Sequence, residues 1–317
     1  MKRALLVGID SYDEFGHLSG CVNDVEAITP LLARNEDGSP NFQCQTRRSD
    51  AERVTRDGLL TDLDGLLGAP ADLAVFYFAG HGAELPADVA LVTQDGTQAT
   101  PGVSMSEVMT KVTGSPVGEI VIVLDCCFSG GAGGIPQLGA PVAALRDGVS
   151  ILTASRSDEG AAETPAGRGA FSSWLEGALD GGAADTLGKV TIAGLYSYLD
   201  EVFGAWDQRP LFKANVSRLV PLRIAEAPIE IEVLRRLTEW FPDIDSEHPL
   251  DPSYEPTEEP ENEQNEQTFS RLQKLRAARL LEPIGEDHMY YAALHSTGCR
   301  LSRLGRLYWK LASDSRL

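Results

Sequence analysis

The chain has 317 residues, 43% of them hydrophobic, and carries 47 acidic against 27 basic side chains, for a formal net charge of -20. That length suits about two domains with a sizeable core, and the acidic balance argues against docking on phosphate backbones or anionic membrane. The apolar run at residues 4–9 stops at Asp10, too short for a signal-peptide core, and no stretch approaches the ~20 apolar residues of a bilayer span. Five cysteines make a poor disulfide framework for this length, so a reducing cytoplasm is the expected compartment.

In chain order, residues 3–9 predict a first apolar strand, followed by a loop through Asp10-Ser11-Tyr12. Val22, Val25, Ile28, Leu31 and Leu32 share one face of a helix over 22–34, with Asn23 and Asp24 in its first turn. A strand near 42–47 and a helix near 51–67 come next. The run Ala74-Val75-Phe76-Tyr77-Phe78 then ends at Ala79-Gly80-His81-Gly82. Residues 104–113 read as helix, and Ile120-Val121-Ile122-Val123-Leu124 ends at Asp125-Cys126-Cys127-Phe128-Ser129-Gly130. A glycine-rich loop over 130–139, a strand at 149–155, helices near 170–180 and 191–204 and a strand near 210–216 complete the unit. Short, almost wholly apolar runs suit strands buried on both faces, and their alternation with helices implies a right-handed α/β sheet.

The character changes near residue 226. Residues 229–241 suit a short amphipathic helix, and 242–267, with ten acidic residues and several prolines, read as a solvated linker or loop. Residues 269–317 hold nine Lys or Arg against four Asp or Glu. They show helical spacing over 269–281, a strand over 288–294 and a further helix over 301–311. Two domains are therefore expected: 1–225, and an accessory α+β domain of winged-helix character at 226–317.

In parallel sheets chemistry gathers at the carboxyl ends of the strands. One strand here delivers His81 and another Cys127, and a thiol activated by an imidazole is a strong nucleophile. The other four histidines lie in loops or in the C-terminal segments. Cys127 is preferred to Cys126 because it stands further beyond the strand. The amides of Gly82 and Cys127, expected in turns and free of the sheet ladder, are candidates for an oxyanion hole. No close Cys/His ligand pairs occur, so no metal site is expected.

These residues resemble the caspase-like peptidases, specifically the bacterial metacaspase-like branch. The likeness rests on Phe-Ala-Gly-His81-Gly and Asp125-Cys126-Cys127-Phe128-Ser129-Gly130. Ala4-Leu5-Leu6-Val7-Gly8-Ile9, Leu18-Ser19-Gly20-Cys21-Val22-Asn23-Asp24, Leu152-Thr153-Ala154-Ser155 with Asp158-Glu159-Gly160-Ala161, and Gly169-Ala170-Phe171-Ser172 extend it over residues 3–217. The resemblance implies the caspase–haemoglobinase fold, a mostly parallel sheet flanked by helices, and a Cys/His dyad that needs no third orienting group. It also implies cleavage after Arg or Lys through a carboxylate-lined S1 pocket, matched here by Asp24 and Asp125. Two converging carboxylates would welcome a guanidinium through charge-assisted bonds. The chain departs from the family at Ala79, where many metacaspases have Ser, and at Phe128, which replaces their usual His. Calcium activation is common in the family, but the acidic residues nominate no ligands, so no cofactor is expected.

Arg146 and Arg168 are candidate self-cleavage sites for an enzyme preferring basic residues. The expectation is a cytoplasmic cysteine endopeptidase acting on a protein or peptide substrate. It would be regulated by a protein partner through the C-terminal domain, within a defence or cell-death pathway. The competing reading is a catalytically weak caspase-like adaptor. A third, a DNA-binding regulator using Arg271, Lys274, Arg276 and Arg279, is opposed by the net charge.

Overall fold

The computed structural model describes residues 1–86, 88–127, 145–154, 167–204 and 210–317, with Cys127 described through its backbone. The glycine-rich segment 130–139, Phe128, Ser129 and the Asp158-Glu159-Gly160-Ala161 motif lie outside the described residues. The chain divides into two compact units, Met1–Asp185 with Lys189–Glu226, and Ala227–Leu317 with Thr186–Gly188.

The first unit is built on a sheet whose main path comprises β1 (Lys2–Gly8), β2 (Phe42–Arg48), β3 (Leu73–Leu85), β6 (Glu119–Cys127), β7 (Val149–Thr153) and β9 (Leu211–Asn215). Their spatial order is β2-β1-β3-β6-β7-β9. All neighbours are parallel except β9, which runs antiparallel to β7 at the edge. Beyond the parallel region β3 continues into a hairpin with β4 (Asp88–Val92), which in turn pairs with β5 (Gly102–Ser104). A two-residue strand β8 (Lys189–Val190) pairs antiparallel with β10 (Arg223–Ile224).

Both faces of the central strands are apolar, which is why these runs show no polar alternation. Leu5, Val7, Phe76, Phe78, Ile122 and Leu124 pack with side chains of α2 (Arg56–Leu67) and α3 (Met105–Gly114). The alternate residues Ala4, Leu6, Val75, Tyr77, Val121 and Val123 pack with those of α1 (Cys21–Ala33), α4 (Ala170–Gly177) and α5 (Ile192–Phe203). Phe76, Tyr77 and Phe78 are each buried, at roughly 1.5–3 kcal/mol per large apolar side chain.

Local chemistry sets the helix starts. A Cβ on Gly8 would lie 2.4 Å from the Cys21 carbonyl oxygen, so glycine there lets α1 begin against β1. Asp10 then accepts from the first free amides of α1, Cys21 N at 2.9 Å and Val22 N at 3.2 Å. Helix α2 starts at Arg56 rather than 51 because Thr55 is its cap, accepting from Gly58 N. Ser104 and Glu107 form a reciprocal capping box at the start of α3.

The second unit corrects three expectations. Helix 229–241 is two short helices, α6 (Ile231–Arg235) and α7 (Leu237–Trp240). The acidic stretch is not a linker: within it β11 (Glu247–Pro249) pairs with β13 (Gly298–Leu301), and Leu250 is buried in the core. Composition misled there because its few apolar side chains are inside while most of its carboxylates face water. The strand expected at 288–294 is a helix, α9 (Met289–Leu294), between β12 (Leu281–Pro283) and β13. Met289, Ala292 and Ala293 are its buried residues, at i, i+3 and i+4, a spacing that a run this short leaves ambiguous in sequence. Strands β12 and β13 still pair antiparallel, but across a helix, so the helix–hairpin–helix order behind the winged-helix reading is absent. Helices α8 (Glu263–Ala277) and α10 (Arg303–Ser313) complete the unit. No helix among the described residues is long and apolar enough to cross a membrane.

Candidate active site

The parallel register between β3 and β6 pairs Ala79 with Asp125, Gly80 with Cys126 and His81 with Cys127. Adjacent strands lie ~4.8 Å apart, so two residues distant in sequence become backbone neighbours at the carboxyl edge of the sheet.

His81 is held from three sides. Its backbone N–H donates to the Tyr12 hydroxyl at 2.9 Å, and that hydroxyl donates to the Ile9 carbonyl at 2.9 Å. The Tyr12 ring packs on the imidazole with centroids 4.9 Å apart. Gly80 makes this possible, since a Cβ there would come within 2.7 Å of the Tyr12 oxygen. Burial, above all, raises the Tyr12 hydroxyl well above its ordinary pKa, so it stays a donor. On the third side, His81 Nε2 lies 2.8 Å from the Gly16 carbonyl. A carbonyl only accepts, so Nε2 carries the hydrogen and a neutral ring presents its lone pair at Nδ1.

The expectation that no third group is needed is therefore amended: a backbone carbonyl orients the ring. It has no side-chain signature, which is why residue types alone did not reveal it. Tyr12→Phe would leave the part-buried His81 amide without this partner, a loss of about 1 kcal/mol. A lower melting temperature and a kcat reduced more than KM are expected, checked by thermal melts and steady-state kinetics.

Cys126, 1% exposed, sits in the core cluster with Phe76 and Leu124, which leaves Cys127 as the strand-end cysteine. Gly82 and Cys127 both lie in strands, Gly82 opposite Leu91 and Cys127 opposite His81, and not in turns. The turn argument for their amides is corrected accordingly.

The two carboxylates belong to one buried polar cluster. Asp24 is 2% exposed; its Oδ1 accepts from Arg168 Nε at 2.9 Å and its Oδ2 from the Gly169 amide at 3.3 Å. Burial pushes its carboxyl up to about 6; the Arg168 hydrogen bond pulls it down, while the nearby negative charge of Asp125 raises it further. Asp125 is not the last strand residue, as β6 runs on to Cys127. Its Oδ2 accepts from Ser172 Oγ at 2.5 Å, and Ser172 Oγ lies 2.6 Å from the buried Tyr77 hydroxyl. Ser172 has one hydrogen, already given to Asp125, so Tyr77 must donate to Ser172. This relay orients Asp125, and Ser172 was legible only as part of the Gly-Ala-Phe-Ser motif. Cys21 joins the cluster with its thiol pKa raised, mainly by burial and then by Asp10 and Asp125.

The two arginines part company. Arg146 donates to the carbonyls of Val112, Val117 and Asp147, at 2.9, 2.9 and 2.7 Å. It precedes β7, at the amino edge of the sheet, whereas His81 stands at the carboxyl edge. Arg168 is not an exposed site either. Its side chain is only 17% exposed, paired with Asp24 and with Glu176.

A mostly parallel sheet that sets an imidazole and a cysteine on neighbouring strand ends, beside buried carboxylates, is the architecture of a cysteine peptidase. The sequence model of the caspase domain matches residues 1–213, and the chain belongs to that family of peptidases. Metacaspase-1A of Aspergillus oryzae is 25% identical over 164 residues, covering 46% of this chain and 38% of the relative. Metacaspase-1 of Plasmodium falciparum is 31% identical over 150 residues, covering 41% and 24%. The chain thus spans less than half the length of these curated relatives. Among solved structures, a protein of Geobacter sulfurreducens matches with a TM-score of 0.50 at 18% identity over 72% of this chain and 97% of that one. Caspase-1 of Spodoptera frugiperda gives 0.49 at 12% identity, over 71% and 90%. At 18% identity the likeness to the Geobacter sulfurreducens protein is one of fold.

Proposed function

We propose that this chain is a cysteine endopeptidase that cleaves after Arg or Lys, with Cys127 as nucleophile and His81 as its base. The observation that carries this reading is the β3–β6 register, which makes residues 81 and 127 partners at the carboxyl edge of the sheet. With Nε2 committed to Gly16, Nδ1 of His81 is the nitrogen that takes the thiol proton, and it later returns the proton to the leaving amine. The amides of Gly82, the residue after His81, and of Cys127 are our candidates for binding the tetrahedral oxyanion.

The preference for a basic residue rests on Asp24 and Asp125. They lie in one buried cluster, and Asp24 already binds a guanidinium of this chain. A caspase preferring Asp would need cationic groups where this cluster carries carboxylates. We assign regulation by a protein partner to the second unit, which exposes Ile231, Tyr291 and Leu307.

Profiling the purified chain on fluorogenic peptides ending in Arg, Lys or Asp, with and without calcium, tests the reading. Cleavage after Arg and Lys that vanishes in Cys127→Ala is expected. Preferred cleavage after Asp would remove the specificity. Absence of any turnover, together with no labelling of Cys127 by an Arg-chloromethylketone, would favour the adaptor instead.

A further inference from the structure

Both oxygens of the Asp24 carboxylate are already engaged by one short segment of the same chain. Arg168 Nε holds Oδ1 and the Gly169 amide holds Oδ2. The segment is seated on the start of α1: Asn23 Nδ2 donates to the Gly167 carbonyl at 3.3 Å. A Cβ on Gly20 would lie 2.9 Å from that same carbonyl oxygen, so only glycine at 20 admits so close a seat. Gly20 also needs its glycine for φ of 112°. Gly167 adopts φ of 66°, a left-handed conformation that favours glycine, and apart from its chain neighbours no described residue comes within 4 Å of where its Cβ would sit. The result is a carboxylate closed to solvent and already bound to a guanidinium of its own chain.

We propose that Arg168 is an internal occupant of the basic-residue pocket, so that the resting peptidase is self-blocked and binds substrate only when segment 167–169 withdraws from Asp24. This rests on the reading of Asp24 and Asp125 as the P1-binding carboxylates. The contact acts as a tethered competitor: the apparent KM equals the intrinsic KM divided by the fraction of molecules with an open pocket. A pocket open one-tenth of the time raises KM tenfold and leaves kcat unchanged. Glu176 supports the closed state by pairing with the other side of the guanidinium, and unlike Asp24 it lies outside the pocket's carboxylate pair.

The full chain carrying Arg168→Gln, and separately Glu176→Gln, would be assayed on an Arg-ended peptide. Benzamidine serves as a second probe of the pocket, read by its protection of Cys127 from alkylation. The expected result for Arg168→Gln is a KM at least tenfold lower with kcat unchanged, and benzamidine binding tightened in parallel. Glu176→Gln should move both in the same direction by a smaller factor. A folded Arg168→Gln chain with unchanged or higher KM and unchanged benzamidine affinity would overturn the proposal and leave Arg168 as a structural counter-ion. Should that variant fail to fold, Glu176→Gln decides alone, no tightening counting against the proposal. Asp24→Asn separates the two layers. If it leaves cleavage after Arg intact, the pocket reading itself has failed; if it abolishes that cleavage while Arg168→Gln does not lower KM, only the self-block has failed.

Discussion

Cys127→Ala is expected to reduce peptide hydrolysis by about 10⁴-fold or more, because it removes the proposed nucleophile that forms the acyl intermediate. His81→Ala should fall nearly as far, since the thiol then lacks the acceptor presented by Nδ1. The two losses should not add, as the residues act as one unit. Cys126→Ala is the informative neighbour. Its side chain is buried among Phe76 and Leu124, so a modest loss of stability with turnover retained is expected. Steady-state kinetics alongside thermal melts check all three, and a catalytic collapse in Cys126→Ala with a normal Cys127→Ala enzyme would exchange the two roles. Alkylation adds a second measure: His81→Ala should slow iodoacetamide labelling of residue 127 at neutral pH, because less of the thiol is ionised.

Asp24→Asn carries the other large effect. Removing one partner from a buried, hydrogen-bonded charge pair costs ~3–5 kcal/mol, so kcat/KM for an Arg-ended peptide should drop by roughly 10²–10⁴-fold, chiefly through KM. The same variant exposes a pH dependence whose sign follows from Asp24 itself. Burial pushes its carboxyl from the ordinary 3.8 up to about 6, so the folded chain binds that proton more tightly than the unfolded chain does. Asp24 therefore contributes stability that grows as pH falls from 6 towards 4 and is lost as pH rises through 6, about 3 kcal/mol in all. Guanidinium binding runs the opposite way, because it needs the ionised form. Below pH 6 the KM for Arg-ended peptides should rise. In Asp24→Asn this limb of the KM profile should vanish. The difference in melting temperature between wild type and variant should shift with pH across the same interval, and a constant difference would place the titration elsewhere.

How much of this was legible beforehand differs from element to element. Continuous apolar runs such as Ala74-Val75-Phe76-Tyr77-Phe78 suit strands covered on both faces, as the fold has them, and their abrupt ends pointed to His81 and Cys127 as candidates. The helix over 22–34 was readable from its apolar spacing, and the observed α1 differs by one residue at each end. The second unit was far less readable. Residues 242–267 and 288–294 hold too few apolar side chains, or too short a run, for periodicity to distinguish loop, strand and helix. There only packing against β13 and the helices decided the outcome.

For the site, breaks in strongly patterned segments nominated His81 and Cys127, and the family resemblance nominated Asp24 and Asp125. Only the folded chain decided their company. Gly16 offers His81 a backbone carbonyl, Tyr12 reaches it across a gap that Gly80 leaves, and Arg168 closes over Asp24 from 144 residues away. None of these leaves a trace in local composition, since each depends on sheet register and on the close approach of distant backbone, which are set by packing as a whole.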